Sequence, residues 1–349
     1  MQTKPFHTSF KIDDLSFGDV KALLKWVKSI SLSSYNFLID WFDNDDFIEV
    51  QTSGSTGKPK LIRLKKQFMI NSALATGAYF EIKENARALV CLSADYIAGK
   101  MMLVRALTLG WNIDIVDPVS NPLAKTNTVY DFSAMVPMQL QNSLQNISSV
   151  KKLIVGGGVV SNTLIDKIQE INTQVFATYG MTETVTHIAV KKLNHNVGDS
   201  ENQFYQALPN VKVAVDDRSC LVIEAPNVSD ETVVTNDVVS LVSDTQFEWL
   251  GRYDNVINSG GVKLHPEKIE KQLSKIITNR FFVAGISDQV LGEKLVLVVE
   301  GEERKIDFSI VELTKYQTPK KVFFVNTFIE TETKKIQRKK TLDLLGLTS

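Results

Sequence analysis

Gln51-Thr52-Ser53-Gly54-Ser55-Thr56-Gly57-Lys58-Pro59-Lys60 is the stretch from which the rest of the chain is read. Apolar residues lead in through Phe47, Ile48 and Val50 and lead out through Leu61, Ile62 and Leu64, a strand, a loop and a second strand. Gly54 and Gly57 can take the positive φ values that aim successive backbone N–H groups at one anion. Four hydroxyls add donors, Lys58 and Lys60 add charge, and a polyphosphate is the natural guest. A phosphate loop of the Walker kind needs glycine at the first position and a hydroxyl after the lysine. Here Thr52 and Pro59 stand in those places, so this is a phosphate loop of another kind. A Ser/Gly-rich hairpin is more often a plain turn, and on the loop alone that reading is slightly ahead.

The whole chain sets the bounds. Its 349 residues suit one large domain with a small one, or two of medium size. A composition 44% hydrophobic and 23% charged is ordinary for a globular protein. A net charge of −1 gives no bulk attraction to nucleic acid or an anionic membrane. Cys91 and Cys220 lie in apolar runs, as buried thiols in a reducing compartment do. Residues 1–10 lack the apolar core of a signal peptide, and no run reaches the roughly 20 apolar residues of a membrane span. The expectation is a soluble cytoplasmic protein.

Taken in order, residues 18–28 place Val20, Leu23, Leu24 and Val27 at helical spacing, and a second helix carries Phe37, Leu38, Trp41 and Phe42. After the loop, the spacing predicts a helix over 67–80, a strand over 88–93 and a helix over 97–109. Strands over 111–116 and 129–135, a helix from Pro137 and a strand over 152–155 follow. A helix capped by Ser161 then precedes a strand over 174–178. Such alternation predicts an α/β layer whose ligands bind at the carboxyl ends of the strands. Beyond about 205 the pattern turns to hairpins, at 211–224 and 238–250. From 256 onward it reads as a compact α+β unit. Its hairpin turns at Ser259-Gly260-Gly261, and a helix starts at Pro266. Strands near 281–286, 294–300 and 321–325, a short helix near 307–314 and a basic tail complete it.

Two constellations leave strands at the predicted binding rim. Tyr179-Gly180-Met181-Thr182-Glu183-Thr184 is either a turn with a capping threonine or a nucleotide site. As a site it offers an aromatic for a base, a hydroxyl for a phosphate and a carboxylate for Mg²⁺, which takes one or two carboxylates beside substrate phosphates. Gly156-Gly157-Gly158 would let a flat ring approach bare backbone, though such runs are more often turns. At the other end, five basic residues within 334–340 read on their own as a solvated tail.

The 51–60 loop and the 179–184 string, in this order, resemble the two signatures of the AMP-forming adenylate enzymes, which include acyl-CoA synthetases, luciferases and nonribosomal-peptide adenylation domains. The resemblance runs over residues 51–338. It implies that Thr52, Ser53, Gly54, Ser55, Thr56, Gly57 and Lys58 bind nucleotide, with Ser53, Thr56 and Lys58 on the triphosphate. It places Thr182 on the α-phosphate, Glu183 on Mg²⁺ and Gly156 to Gly158, Tyr179 and Gly180 around the AMP. Asp237 and Arg252 would hold the ribose. Asp254 would be the hinge, Gly260 and Gly261 would face the pantetheine arm of coenzyme A, and Lys335 would be the catalytic lysine. Tyr96, Lys100, Thr186 and His187 would wall the acyl pocket. Arg105, on the same helix as Lys100, is a further cation for it, although lysine or arginine on a helix face is more often solvated surface. The chain departs from the family pattern at Asn236 and Lys334, where glycine is usual, and at Tyr96, often histidine. Its segment before the loop is also short.

The implied activity is ATP-dependent ligation of a carboxylic acid to coenzyme A through an acyl-adenylate. ATP, Mg²⁺ and coenzyme A enter as substrates, and no tightly bound cofactor is expected. Within the family the chain most resembles the o-succinylbenzoate–CoA ligases of menaquinone synthesis, in shortened form. The expected partners are an aryl or dicarboxylic acid, ATP and coenzyme A, with no nucleic acid and no membrane insertion. Two other classes are carried beside it: an aryl- or amino-acid adenylating enzyme that loads a carrier-protein thiol, and a non-catalytic nucleotide-binding relative. The expected architecture is α/β. Residues 1–253 form a large adenylation domain of mostly parallel sheet layers plus a β-rich part, and 254–349 form a small mobile α+β domain.

Overall fold

The structure is a computed structural model that describes residues 5–51, 60–195, 204–331 and 336–347. Asp19 starts the helix Val20–Ile30 by accepting from the Ala22 N–H at 2.8 Å. Ser31 then does two jobs. Its N–H closes that helix on the Val27 carbonyl at 2.9 Å, and its hydroxyl accepts from the Ser34 N–H at the start of Leu32–Phe42. Leu23, Val27, Phe37 and Leu38 sink into the same core as Phe10, Ile12 and Ile113.

Among the described residues, thirteen strands make one sheet. Its parallel part runs Lys11–Ile12, Asn112–Ile115, Arg87–Val90, Tyr130–Met135, Val150–Val155 and Gln174–Gly180. Side chains alternate between two buried faces: Ala88, Phe132 and Ile154 enter one core, and Leu89, Met135, Leu153 and Val155 the other. Gln174–Gly180 is where the direction changes, because its other neighbour, His187–Lys192, is antiparallel. The sheet continues antiparallel through Tyr205–Ala207, Gln246–Arg252, Val233–Leu241, Cys220–Glu224 and Lys212–Val215. The parallel part and the β-rich part are thus strands of one continuous sheet. Phe47–Gln51 and Leu61–Lys65 pair apart from it, from Phe47↔Lys65 to Gln51↔Leu61. The phosphate loop between them, residues 52–59, lies outside the described residues.

Ile257–Ser259, Val262–Leu264, Phe281–Asp288, Gly292–Glu300 and Lys321–Val325 form a second sheet with its own cores. Leu264, Ile269, Leu273, Val283 and Leu297 fill one side, and Phe282, Val298, Phe328 and Leu342 fill the other. The short helix expected near 307–314 is a single 3₁₀ turn, Phe308–Ile310. The stretch read as a basic tail is a helix over Arg338–Leu344. Leu342 and Leu345 press it onto Phe282 and Val298, which is why it is ordered despite its charge. Among the described residues no helix is long and apolar enough to cross a membrane.

Candidate functional site

The rim forms where the last parallel strands end. Val150–Val155 runs out into Gly156, whose N–H donates to the Met135 carbonyl at 3.2 Å, and the Thr178 hydroxyl of the next strand donates to Val155 O at 3.2 Å. Gln174–Gly180 then gives way to a 3₁₀ turn, Thr182–Thr184. Gly180 pairs with His187, and a Cβ on it would collide with the Thr186 carbonyl and the His187 backbone. Only glycine fits there.

The return from this turn is strained. Val185 has φ 65° and ψ −58°, and the Thr186 N–H reaches back to the Thr184 carbonyl at 2.7 Å. That is the unfavourable form of the γ-turn, on a β-branched residue, and such backbone costs about 1–3 kcal/mol. The surroundings enforce it. The Val185 side chain is fully buried, and the Thr184 hydroxyl accepts from the Met181 N–H at 3.2 Å while lying 2.8 Å from the Thr186 carbonyl that it donates to. The outcome is that Thr182 and Glu183 stand out from the strand end, with Glu183 exposed.

Beside them, three side chains converge on a buried carboxylate. Asp237 and Arg252 are cross-strand partners. One oxygen of Asp237 accepts from Tyr179 Oη at 2.8 Å, and the other accepts from Trp249 Nε1 at 3.1 Å and lies 3.8 Å from the Arg252 guanidinium. The Asp237 N–H donates to Thr235 Oγ1 at 3.0 Å. Tyr179 packs edge-on against Tyr205 and Phe247, with ring centroids 5.9 and 5.2 Å away. Burial, and then the Asp237 charge, push its phenol well above the ordinary value. The structure therefore brings together three of the expected residues, Tyr179, Asp237 and Arg252, and adds Trp249 and Thr235. Trp249 leaves no trace in the sequence: a register shift between its pairing with Val239 and that of Gly251 with Val238 puts it on the same face as Arg252 and Asp237.

The four residues expected to wall an acyl pocket are not gathered together. Tyr96 precedes the helix Ile97–Leu109 and is half exposed. Lys100 lays its ammonium over the Phe37 ring, 5.0 Å from the centroid, and burial there lowers its pKa. Thr186 belongs to the strained turn. His187 alone turns inward, where it meets Arg105, and Arg105 is not on the solvated surface: it is 1% exposed. The guanidinium reaches Thr76 Oγ1 at 3.3 Å, Met102 Sδ at 3.6 Å and His187 Nδ1 at 3.4 Å. No carboxylate pairs with it among the described residues. Burial depresses its pKa to about 9. A guanidinium can only donate, so His187 Nδ1 accepts and Nε2 carries the proton. That Nε2–H is buried with no partner among the described residues, and His187 also lines a cavity of about 330 Å³ with Ser72, Ala75, Ile188, Leu208 and Val228. Burial and the Arg105 charge hold the His187 pKa well below its usual range.

Asp254, in the turn Tyr253–Asn255, accepts from Arg252 Nη2 at 3.3 Å. Gly260 and Gly261 form their hairpin turn within the second sheet, Gly260 N–H bonding to Leu291 O at 2.8 Å, away from the rim. Thr52 to Lys58, and Lys335, lie outside the described residues. Among the described residues no cluster of three or more His, Cys, Asp or Glu could hold a metal by itself. The exposed Glu183 is the carboxylate at the rim.

Comparison with known proteins sets this geometry in a family. The family model described as AMP-binding enzyme matches residues 21–231. A 2-succinylbenzoate–CoA ligase of Bacillus cytotoxicus is 26% identical over 335 residues, covering 85% of this chain and 69% of that protein. A solved acyl-CoA synthetase (AMP-forming)/AMP-acid ligase II-like protein from Dyadobacter fermentans is 38% identical, covers 90% of this chain and 93% of its own, and superposes with a TM-score of 0.60. The o-succinylbenzoate coenzyme A synthetase of Bacillus subtilis, solved with ATP and magnesium, shares the fold: TM-score 0.71 at 19% identity, over 84% of this chain and 69% of its own. The match spans more than half the sequence and takes in the strained rim, and the chain belongs to the AMP-binding enzyme family.

Proposed function

We propose that the chain is an ATP-dependent acid–CoA ligase that works through an acyl-adenylate, and that its acid is o-succinylbenzoate. The observation that carries the choice of acid is Arg105. A fully buried guanidinium with no carboxylate partner among the described residues is costly by several kcal/mol, and the fold retains it beside a buried histidine donor. A dicarboxylic acid supplies the missing charge: one carboxylate goes to the nucleotide, and the second pairs with Arg105 in a charge-assisted bond. The relatives named 2-succinylbenzoate–CoA ligase support the same acid.

In this reading Thr52 to Lys58 take the triphosphate. Gly156 to Gly158, Tyr179 and Gly180 surround the AMP, Thr182 meets its α-phosphate, and Glu183 shares Mg²⁺ with the phosphates. Asp237 receives the ribose. Tyr179 and Trp249 fix its two oxygens, and its remaining lone pairs can accept the sugar hydroxyls. Arg252 flanks it. The acid carboxylate attacks the α-phosphorus, pyrophosphate leaves, and Lys335 stabilises the charge that builds up between them. The coenzyme A thiol then attacks the acyl carbonyl and AMP departs. Residues 1–253 bind ATP and the acid. Residues 254–349 move about Asp254, exchanging Lys335 for the Gly260-Gly261 turn. The enzyme works in the cytoplasm.

The test is pyrophosphate release over a panel of aryl mono- and dicarboxylic acids, with mass detection of the coenzyme A product. Release with o-succinylbenzoate, and far less with its monocarboxylic analogues, is expected. Equal turnover of both groups refutes the role given to Arg105, and silence with every acid refutes the ligase reading.

A further inference from the structure

The helix Pro266–Leu273 is the face that the small unit turns toward the large sheet. Asn162 Nδ2 donates to the Lys271 carbonyl at 2.8 Å and lies 3.1 Å from Ser274 Oγ. At its first turn Glu267 is held from three directions. Asn255, in the connecting turn, donates to its Oε1 at 2.6 Å. Arg338 Nη2, from the helix that closes the chain, lies 3.6 Å from the same oxygen and binds Glu270 Oε2 at 2.9 Å. Arg338 is fixed in turn by the Val283 carbonyl at 3.3 Å, with its guanidinium over the Phe282 ring. The third direction is Gly251, in the last strand before the connection. A Cβ on Gly251 would collide with Glu267 Oε2, and that oxygen is buried with no hydrogen-bond partner among the described residues. A carboxylate oxygen left unpaired costs free energy, so it marks a contact kept for its geometry.

We propose that Glu267 is a positioning residue, whose carboxylate, clamped by Arg338 and Asn255, seats on bare Gly251 and sets the orientation of the small unit on the large one. The proposal rests on the two-step ligase reading, since that chemistry needs more than one orientation. Few other polar contacts join the units among the described residues, and an interface of this kind lets domains move unless something fixes them. The seat works in one orientation only, and rotation about Asp254 breaks it. Arg338 extends the control, because it lies three residues beyond Lys335 in sequence.

The experiment uses the full chain carrying spin labels at two exposed positions, Lys125→Cys and Glu303→Cys, and reads the distance distribution between the units. Glu267→Ala is expected to lower the share of the main distance by about threefold or more. Gly251→Ala should produce the same change, and adding it to Glu267→Ala should bring no further one, because both remove a single seat. In parallel, the ratio of adenylation to thioester formation from supplied acyl-adenylate is expected to shift about tenfold in the variants. Thermal melts identify any variant that fails to fold, and where Gly251→Ala does, Glu267→Ala decides. An unchanged distance distribution in folded Glu267→Ala overturns the proposal. So does a changed distribution with an unchanged ratio. A wild-type protein that adenylates no acid refutes the ligase reading instead, and the distances still decide the seat.

Discussion

A guanidinium enclosed by Thr76, Met102 and His187 is the most informative residue in the chain, and its sequence context hides it. Arg105 and Lys100 look alike on paper, five residues apart on one helix. Yet the helix Ile97–Leu109 has buried residues nearly all the way round, so one cation is enclosed and the other reaches Phe37. If Arg105 pairs with the second carboxylate, Arg105→Gln removes a charge-assisted bond worth about 1.5–3 kcal/mol, so KM for the dicarboxylic acid is expected to rise roughly 10- to 150-fold, while a monocarboxylic analogue changes little. Steady-state kinetics on the two acids check it. His187 carries a pH signature. Its folded-state pKa lies below the ordinary 6.5, so the folded state binds fewer protons than the unfolded one. The associated stability is complete above that value and is lost as pH falls from it toward the depressed folded pKa. Urea unfolding at about pH 7.5 and about pH 5.5 is expected to show this loss, at most about 1.4 kcal/mol per pH unit, and His187→Asn should flatten it.

At the scale of elements, what was legible is what local pattern dictates. The helix Ile97–Leu109 and the hairpin turning at Gly260-Gly261 stand where the spacing put them. The helix Arg338–Leu344 did not show, because three of its first three residues are cationic and its ordering comes from Phe282 and Val298, far away in sequence. The site divides the same way. Tyr179, Asp237 and Arg252 came from motifs. Trp249, Thr235 and the inward turn of Arg105 depend on cross-strand register and on packing that no local pattern carries. The γ-turn at Val185 is a further feature of this class, as a valine with positive φ is not foreseeable from its neighbours. It makes the Gly180 region intolerant. Gly180→Ala must push the Thr186 carbonyl away, and is expected to cost about 1–3 kcal/mol by denaturant unfolding. Because that shift moves Thr182 and Glu183, pyrophosphate release should fall further than the loss of folded protein explains. A variant with normal stability and normal release would show that the close approach is not required.

The molecule as a whole is two sheets, each with its own cores, joined by a short connection. The cores of the second sheet share no residue with those of the large one. The contacts between the units are mostly single side chains such as Asn162 and Glu267. Small polar interfaces permit rigid-body rearrangement, and a two-step reaction at one rim gives it a use. Adenylation needs a cation where pyrophosphate leaves; thioester formation needs that place vacated for a thiol. If Lys335 serves only the first step, Lys335→Ala is expected to abolish pyrophosphate release, a loss of about a hundredfold or more. The same variant should convert supplied acyl-adenylate and coenzyme A to thioester at close to the wild-type rate. Single-turnover measurements of each half-reaction, on one preparation with an unchanged melting curve, separate the steps. Equal loss in both would mean that the lysine stays at the rim throughout, and that the two units work as one fixed body.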